Sequence, residues 1–397
     1  MDDETRLPTR GDVDWAVLAP LLAHVVITHV VVGVVRVTLS YRTVELGLPV
    51  VWPGILAAGF AILPVFFAVQ IGRYIDRGHD AQAAWMGSAM VLVSCAALWA
   101  WPNSPGQLLA FTLLLGMGHM FLMAAQQTLV IRCGNERGRD TAFGHFMIAV
   151  SIGQGLGPFI VGWIGGGATV PPTAPLFIVG VVSAAVCMTV ALALRPVPRG
   201  AHEGESMAVP IIALLRRPGM LAVLAASVVT VTSGELLVIY LPLLGVERQI
   251  DAGHIGMLLM TRSLSALVAR IFYTRLIYRM GRLPLTLTST FLASGAFMLM
   301  VVPSLTVMYA AAVLIGIGLG IAGTLTLSGI VEVAPPEARA TAMTMRITGN
   351  RLSLVFVPFL AGLVAAATGV AGILFLIAAS LSASAAGMAL SRRKAPT

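Results

Sequence analysis

Apolar runs of about 20 residues, separated by short polar breaks, recur along almost the whole chain. A helix of that length crosses a hydrocarbon core of about 30 Å at 1.5 Å rise per residue. The pattern predicts about twelve membrane-spanning helices, at approximately 16–39, 49–71, 82–101, 107–131, 141–165, 175–194, 219–244, 254–273, 283–302, 305–331, 341–367 and 370–390. The longest polar interruption, "RPVPRGAHEGESMAVPIIALLRRP" at 195–218, carries four Arg and four Pro. It reads as a linker. The predicted organisation is a tail (1–14), a six-helix half (15–194), the linker (195–218), a second six-helix half (219–390) and a closing tail (391–397). The fold class is an all-α polytopic membrane protein with two pseudo-symmetric halves.

The halves resemble each other at a nearly constant offset. A shift of 200 aligns "RDTAF" at 139 with "RATAM" at 339, "PFIVG" at 158 with "PFLAG" at 358, and "GMG" at 116 with "GIG" at 316. A shift of 202 aligns Gly54 with Gly256, Arg73 with Arg275 and Arg77 with Arg279. Each match is short, but their shared offset argues for parallel repeats, an architecture of transporters with a binding site between the repeats.

Composition agrees with this class: 58% of residues are hydrophobic and 11% charged. The mean hydropathy is +0.92. A formal net charge of +8 would suggest nucleic acid as partner in a soluble protein, but here the basic residues collect at alternate ends of the spans. With the N-terminus inside, inner segments hold Arg73, Arg77, Arg132, Arg137, Arg195, Arg216, Arg217, Arg275 and Arg279, among others, while outer ones hold only Arg42 and Arg248. That asymmetry predicts a multi-pass protein of the cytoplasmic membrane with both termini cytoplasmic. The first fourteen residues lack the basic-then-apolar pattern of a signal peptide. Cys95, Cys133 and Cys187 form no CxxC or Cys/His cluster, so neither a disulfide framework nor a metal site is indicated.

Chemistry comes from polar groups inside the spans. Spans 3, 6, 9 and 12 have no ionisable residue in their apolar cores and are suited to face lipid. The others carry Arg36, His119, Gln126, Glu235, Arg262, Arg346, Asn350 and Arg351. A charge at the bilayer centre costs about 3 kcal/mol even on a lenient scale, so each needs a partner, water or a task. Arg262 lies mid-span, and Arg351 is about 15 Å into span 11. Arg346 is shallow enough to snorkel, and Arg270 reads as an interfacial anchor. At about 100° per residue, Arg346, Asn350 and Ser353 share a stripe, with Arg351 about 140° away from Arg346. One arginine is thus expected to meet a cavity and the other to brace the halves or reach an inner gate, and depth favours Arg351 for the cavity. Arg36, Arg262 and Arg351 stand against Glu235 alone, an excess that favours an anionic substrate, for which Arg offers bidentate binding. Glu235 is either a counter-ion or a proton-coupling carboxylate.

Two motifs carry a family resemblance. "GRYIDRGHD", Gly72 to Asp80, resembles the Gly-x-x-x-Asp-Arg/Lys-x-Gly-Arg signature of the major facilitator superfamily at Gly72, Asp76 and Arg77. His79 replaces the later Gly. The repeat copy, "TRLIYRMGR", keeps Arg279, Gly281 and Arg282 but has Tyr278 in place of Asp76. "GQGLGPFIVG" is similar in part to the Gly-Pro signature of proton-antiporting members, through Gly153, Gly157, Pro158 and Gly162. The resemblance implies a twelve-helix alternating-access carrier. It implies a cytoplasmic gate of Gly72, Asp76, Arg77, Arg132 and Arg279, with Asp76 contacting Arg132 and the start of span 11. It also implies a bend in span 5 that bears on direction.

The resulting expectation is proton-coupled export of a small organic compound, anionic or amphipathic, by a monomer without a cofactor. Its partners are the substrate, protons and the bilayer, and no nucleic acid. No P-loop is present to supply a nucleotide-driven motor. Uptake of an organic anion by proton symport suits the same residues. A membrane sensor that kept a carrier fold is the alternative of another class. Neither HExxH nor GxSxG is found, which argues against an intramembrane enzyme.

Overall fold

In a computed structural model of the chain, the described residues are 13–133, 138–194, 211–335 and 338–393. The first half contains α1 (Trp15–Glu45), α2 (Trp52–Asp76), α3 (Asp80–Ala100), α4 (Pro105–Arg132), α5 (Arg139–Gly165) and α6 (Thr173–Leu192). A five-residue α7 (Ile211–Leu215) is the helical part of the predicted linker, and 195–210 lie outside the described residues. The second half contains α8 (Met220–Glu247), α9 (Ala252–Ile271), α10 (Tyr273–Met280), α11 (Arg282–Leu299), α12 (Leu305–Val333), α13 (Arg339–Thr368) and α14 (Val370–Arg393).

Eleven of these helices are long and apolar enough to cross a membrane. The twelfth expected span is α11, whose 18 residues are diluted by Arg282, a proline and several hydroxyls. Those hydroxyls are satisfied locally. Thr286, Thr288 and Thr290 donate to carbonyls one turn back, and Ser294 donates to the Ala378 carbonyl of α14 at 2.7 Å. Satisfied in this way, they can sit in hydrocarbon at little cost. The segment "TRLIYRMGR" differs from the expected loop. Most of it is the amphipathic α10, with Tyr273, Leu276 and Ile277 against a core of Ala269, Leu285, Ile321 and Leu325, and Arg275 and Arg279 exposed.

The halves meet in a shared apolar core at the end remote from the termini. There Val34, Val37, Tyr41 and Ala57 pack with Leu236, Tyr240, Ile255 and Ala361. At the terminus-bearing end the cores stay separate, one around Ile75, Leu129 and Phe146 and another around Met220, Ile330 and Ala342. Among the described residues, the apolar core that joins the halves lies at one end only.

Two seams make that closure, and they are copies of one contact. In the α2–α13 seam, Gly54 faces the Pro358 carbonyl so closely that a Cβ would overlap it. The α9–α5 seam sets Gly256 against the Pro158 carbonyl and Gly162, where a Cβ would stand 2.5 Å from that oxygen and 2.8 Å from the Gly162 Cα. The residues aligned in sequence at offsets 200 and 202 thus touch crosswise. Tyr240 reinforces the first seam by donating to the Pro358 carbonyl at 2.9 Å. The α5 glycines work on two faces. Gly153 and Gly157 admit the α1 backbone at Val26 and Val30, and Gly162 admits α9. The helix runs unbroken through Pro158.

Candidate substrate site and gates

Directly beneath the closed end, Arg36 of α1 forms an ion pair with Glu235 of α8. The two residues are 199 apart, as are Ser40 and Ile239 one turn on, where the Ser40 hydroxyl donates to the Ile239 carbonyl at 3.0 Å. That separation nearly equals the repeat offset, so the pair lies close to the pseudo-twofold axis, with opposite charges at equivalent positions. Both side chains are deep along their helices, yet 14% of Arg36 and 27% of Glu235 remain exposed. They face accessible space and are not sealed in packed core.

The neighbours of the pair are also repeat-related. The Arg36 guanidinium stacks over Phe60, 5.2 Å from the ring centroid. Gly116 packs on the Phe60 carbonyl just as Gly316 packs on that of Arg262. Arg262 is therefore the structural counterpart of Phe60. Where one half offers a ring to Arg36, the other offers a guanidinium to Glu235. Arg262 and Arg351 both lie within electrostatic reach of Glu235. The Arg262 Nη2 donates to Ser263 at 3.2 Å, its Nε is buried without a partner, and the missing side chain of Gly234 leaves it room. Arg351 has no hydrogen-bond or ion-pair partner among the described residues. On the facing wall, the Nδ1 of His119 is buried and unpartnered, with its ring 5.2 Å from Phe60 and within reach of the charges of Arg351 and Arg36. Three guanidinium groups converge on a single carboxylate, and the His119 imidazole lies within reach of two of them.

Other expected site residues lie elsewhere. Gln126 is fully buried inside the first half, where its amide donates to His24 Nδ1 at 3.0 Å and Thr28 at 2.9 Å. His24 reaches Ser88, and Thr28 and Ser88 both meet Cys187. This four-helix network within one half takes Gln126 out of the substrate site. Arg346 neither snorkels nor bridges the halves. Its Nε donates to Ser227 of α8 at 2.8 Å, and Asn350 shares that hydroxyl at 3.3 Å. Ser353 completes the stripe by bonding Thr232 at 2.9 Å. The predicted stripe exists, but it braces α13 to α8. Arg270, expected as an interfacial anchor, crosses between halves to Ser151 at 2.7 Å. Ser151 is the repeat partner of Arg351.

In the motif loop, Arg132 pairs with Asp80 at 2.6 Å, and both side chains are almost wholly buried. Asp80 opens α3 within the quoted motif, but the sequence offered no reason to prefer it over Asp76. The side chain of Asp76 lies outside the described residues. Arg77 and Arg279 are exposed, and a side chain at Gly72 would meet open space. Removing one partner of a buried pair leaves the other charge in a poor environment. Asp80→Asn is expected to lower the melting temperature in detergent measurably, whereas Arg77→Gln leaves it unchanged. Equal melting temperatures for both variants would refute the structural role of the pair.

Two helical halves, joined at one end over a charge cluster on their shared axis, have the architecture of a solute carrier. A sequence profile of the Major Facilitator Superfamily matches residues 21–253 and 224–397, and the chain belongs to that superfamily. Its fold is similar to a bacterial homologue of the human lysosomal transporter Spinster, solved in an inward-facing and occupied conformation. The TM-score is 0.76, with 17% identity over 96% of this chain and 97% of that one. It is also similar to the nucleoside transporter NupG, at TM-score 0.77 and 14% identity over 96% of this chain and 100% of that one. No curated protein matches in sequence.

Proposed function

We propose that the protein is a proton-coupled carrier of a small organic anion, which it binds between its halves at Arg262 and Arg351. The supporting observation is the uncompensated cation cluster beside the Arg36–Glu235 pair. An anionic group entering that space meets guanidinium donors already desolvated and short of partners, where charge-assisted hydrogen bonds are strongest. If the anion also takes Arg36, Glu235 loses its counter-ion and its proton affinity rises. Linkage is reciprocal, so a proton on Glu235 strengthens anion binding in turn. That sign favours anion and proton moving together, which is uptake by symport when the proton gradient points inward. With cytoplasmic termini, the closed end is the outer one and the state described is inward-facing.

Export is the second reading, carried by the partial Gly-Pro signature of α5. Proteoliposomes with imposed proton gradients separate the two. Symport predicts anion accumulation with protons travelling in the same direction, and anion binding that strengthens as pH falls. Glu235→Gln is expected to bind the anion at all pH values but not concentrate it. Accumulation against an opposing proton flux would establish export, and binding restricted to cations would overturn the anion assignment.

A further inference from the structure

A site remote from the substrate cluster lies at the terminus-bearing end of the second half. A groove of about 370 Å³ runs between α8 and α14, floored by Ala222, Ala225, Ala383, Ser384 and Gly387, with Arg217 at its mouth. A second cavity of about 220 Å³, walled also by α11 and α12, adjoins it through Gly219, Ala222 and Met388 and carries Arg282 and Glu332 at its rim. The walls of the second cavity are apolar in effect, because Thr286 and Thr326 spend their hydroxyl protons on carbonyls of their own helices, and Ser384 is the one hydroxyl on the floor of the groove. Leu221, beside the groove, is 64% exposed, so this face is turned outward from the bundle. Gly219 has φ +83°, a conformation that suits glycine and turns the chain from Arg217 into α8. At Gly387 a side chain would meet open space.

The charges at the mouth are one-sided. Arg216 and Arg217 are exposed, and Arg282 is shared with a single carboxylate, the half-exposed Glu332. An apolar slot opening under a cationic rim, at the depth where helices leave the hydrocarbon, matches a molecule with an acyl chain and an anionic head. We propose that this groove docks one anionic phospholipid, with its acyl chain along α8 and α14 and its phosphate on Arg217 and Arg282. The lipid would bind to the second half alone, so it can remain in place while the halves move against each other.

Native mass spectrometry of the full chain, equilibrated in micelles with equal phosphatidylglycerol and phosphatidylcholine, tests this. The expected result is one phosphatidylglycerol retained in preference to phosphatidylcholine. Arg217→Gln should cut that preference about fivefold, the weight of one arginine near an anionic headgroup. Gly387→Leu should plug the groove and lower retention of both lipids without changing any charge. Equal retention of the two lipids by the unaltered protein would overturn the proposal, as would retention unchanged by both substitutions. Inorganic phosphate alone raising the melting temperature as much as phosphatidylglycerol would show an ion site and reject the lipid.

Discussion

Replacing Arg351 by Ala is expected to weaken anion binding roughly 10- to 100-fold, the weight of one charge-assisted hydrogen bond lost. The same substitution should leave the folded protein as stable as before, or more stable. Both halves of this expectation follow from one observation. Arg351 is a guanidinium well inside α13 with no hydrogen-bond or ion-pair partner among the described residues, and Glu235 already has Arg36. A charge held in that position opposes folding, and residues kept at such a cost mark function. Arg262→Ala should behave alike, since Ser263 is the single hydroxyl that its guanidinium reaches. Arg346→Ala is the control. Its loss breaks the Ser227 brace and should lower the melting temperature while changing affinity less. Binding by isothermal titration and melting by intrinsic fluorescence would separate the three. Unchanged affinity in both Arg351→Ala and Arg262→Ala would remove them from the site.

Gly54→Val is expected to force the closed end open. A Cβ there would overlap the Pro358 carbonyl, and backbone cannot rotate out of the way as a side chain can. Overpacking on this scale costs about 3 kcal/mol, which changes the ratio of closed to open molecules roughly 100-fold. Because the seams are repeat copies, Gly256→Val should do the same from the other side. Spin labels on the loops after α1 and after α13 report the change as a longer distance distribution. Distances identical to those of the unsubstituted protein in both variants would show that the glycine contacts do not hold the closure. Gly72→Ala, where a Cβ meets open space, should leave the distances unaltered.

Much of this architecture is legible in the chain. Span count and halves follow from hydropathy and charge placement, which are properties of short windows. The repeat offset aligns Gly54 with Gly256 and Pro158 with Pro358, but only the structure shows that these copies touch crosswise. The excess of arginine over carboxylate was legible for the same reason, because counting requires no geometry. Twelve spans are recognisable although α11 is polar, since its threonine hydroxyls bond to their own helix and Ser294 bonds to α14.

Partnership was not legible. Arg36 and Glu235 are 199 residues apart and Arg132 and Asp80 are 52 apart, and no local pattern ranks such pairs over their alternatives. Helices that are apolar on nearly every face give little sign of which neighbour a side meets, so depth and shared stripes can be estimated but not the helix that a stripe packs against. That is why Gln126 was expected at the site and lies in a sealed network, and why Arg270 was expected at an interface and instead reaches Ser151. Sequence by itself determined what the membrane demands of each segment, because burial in lipid is decided residue by residue. Only the tertiary structure decided which cations find a partner and which have none among the described residues, because charge compensation depends on distance across the two halves.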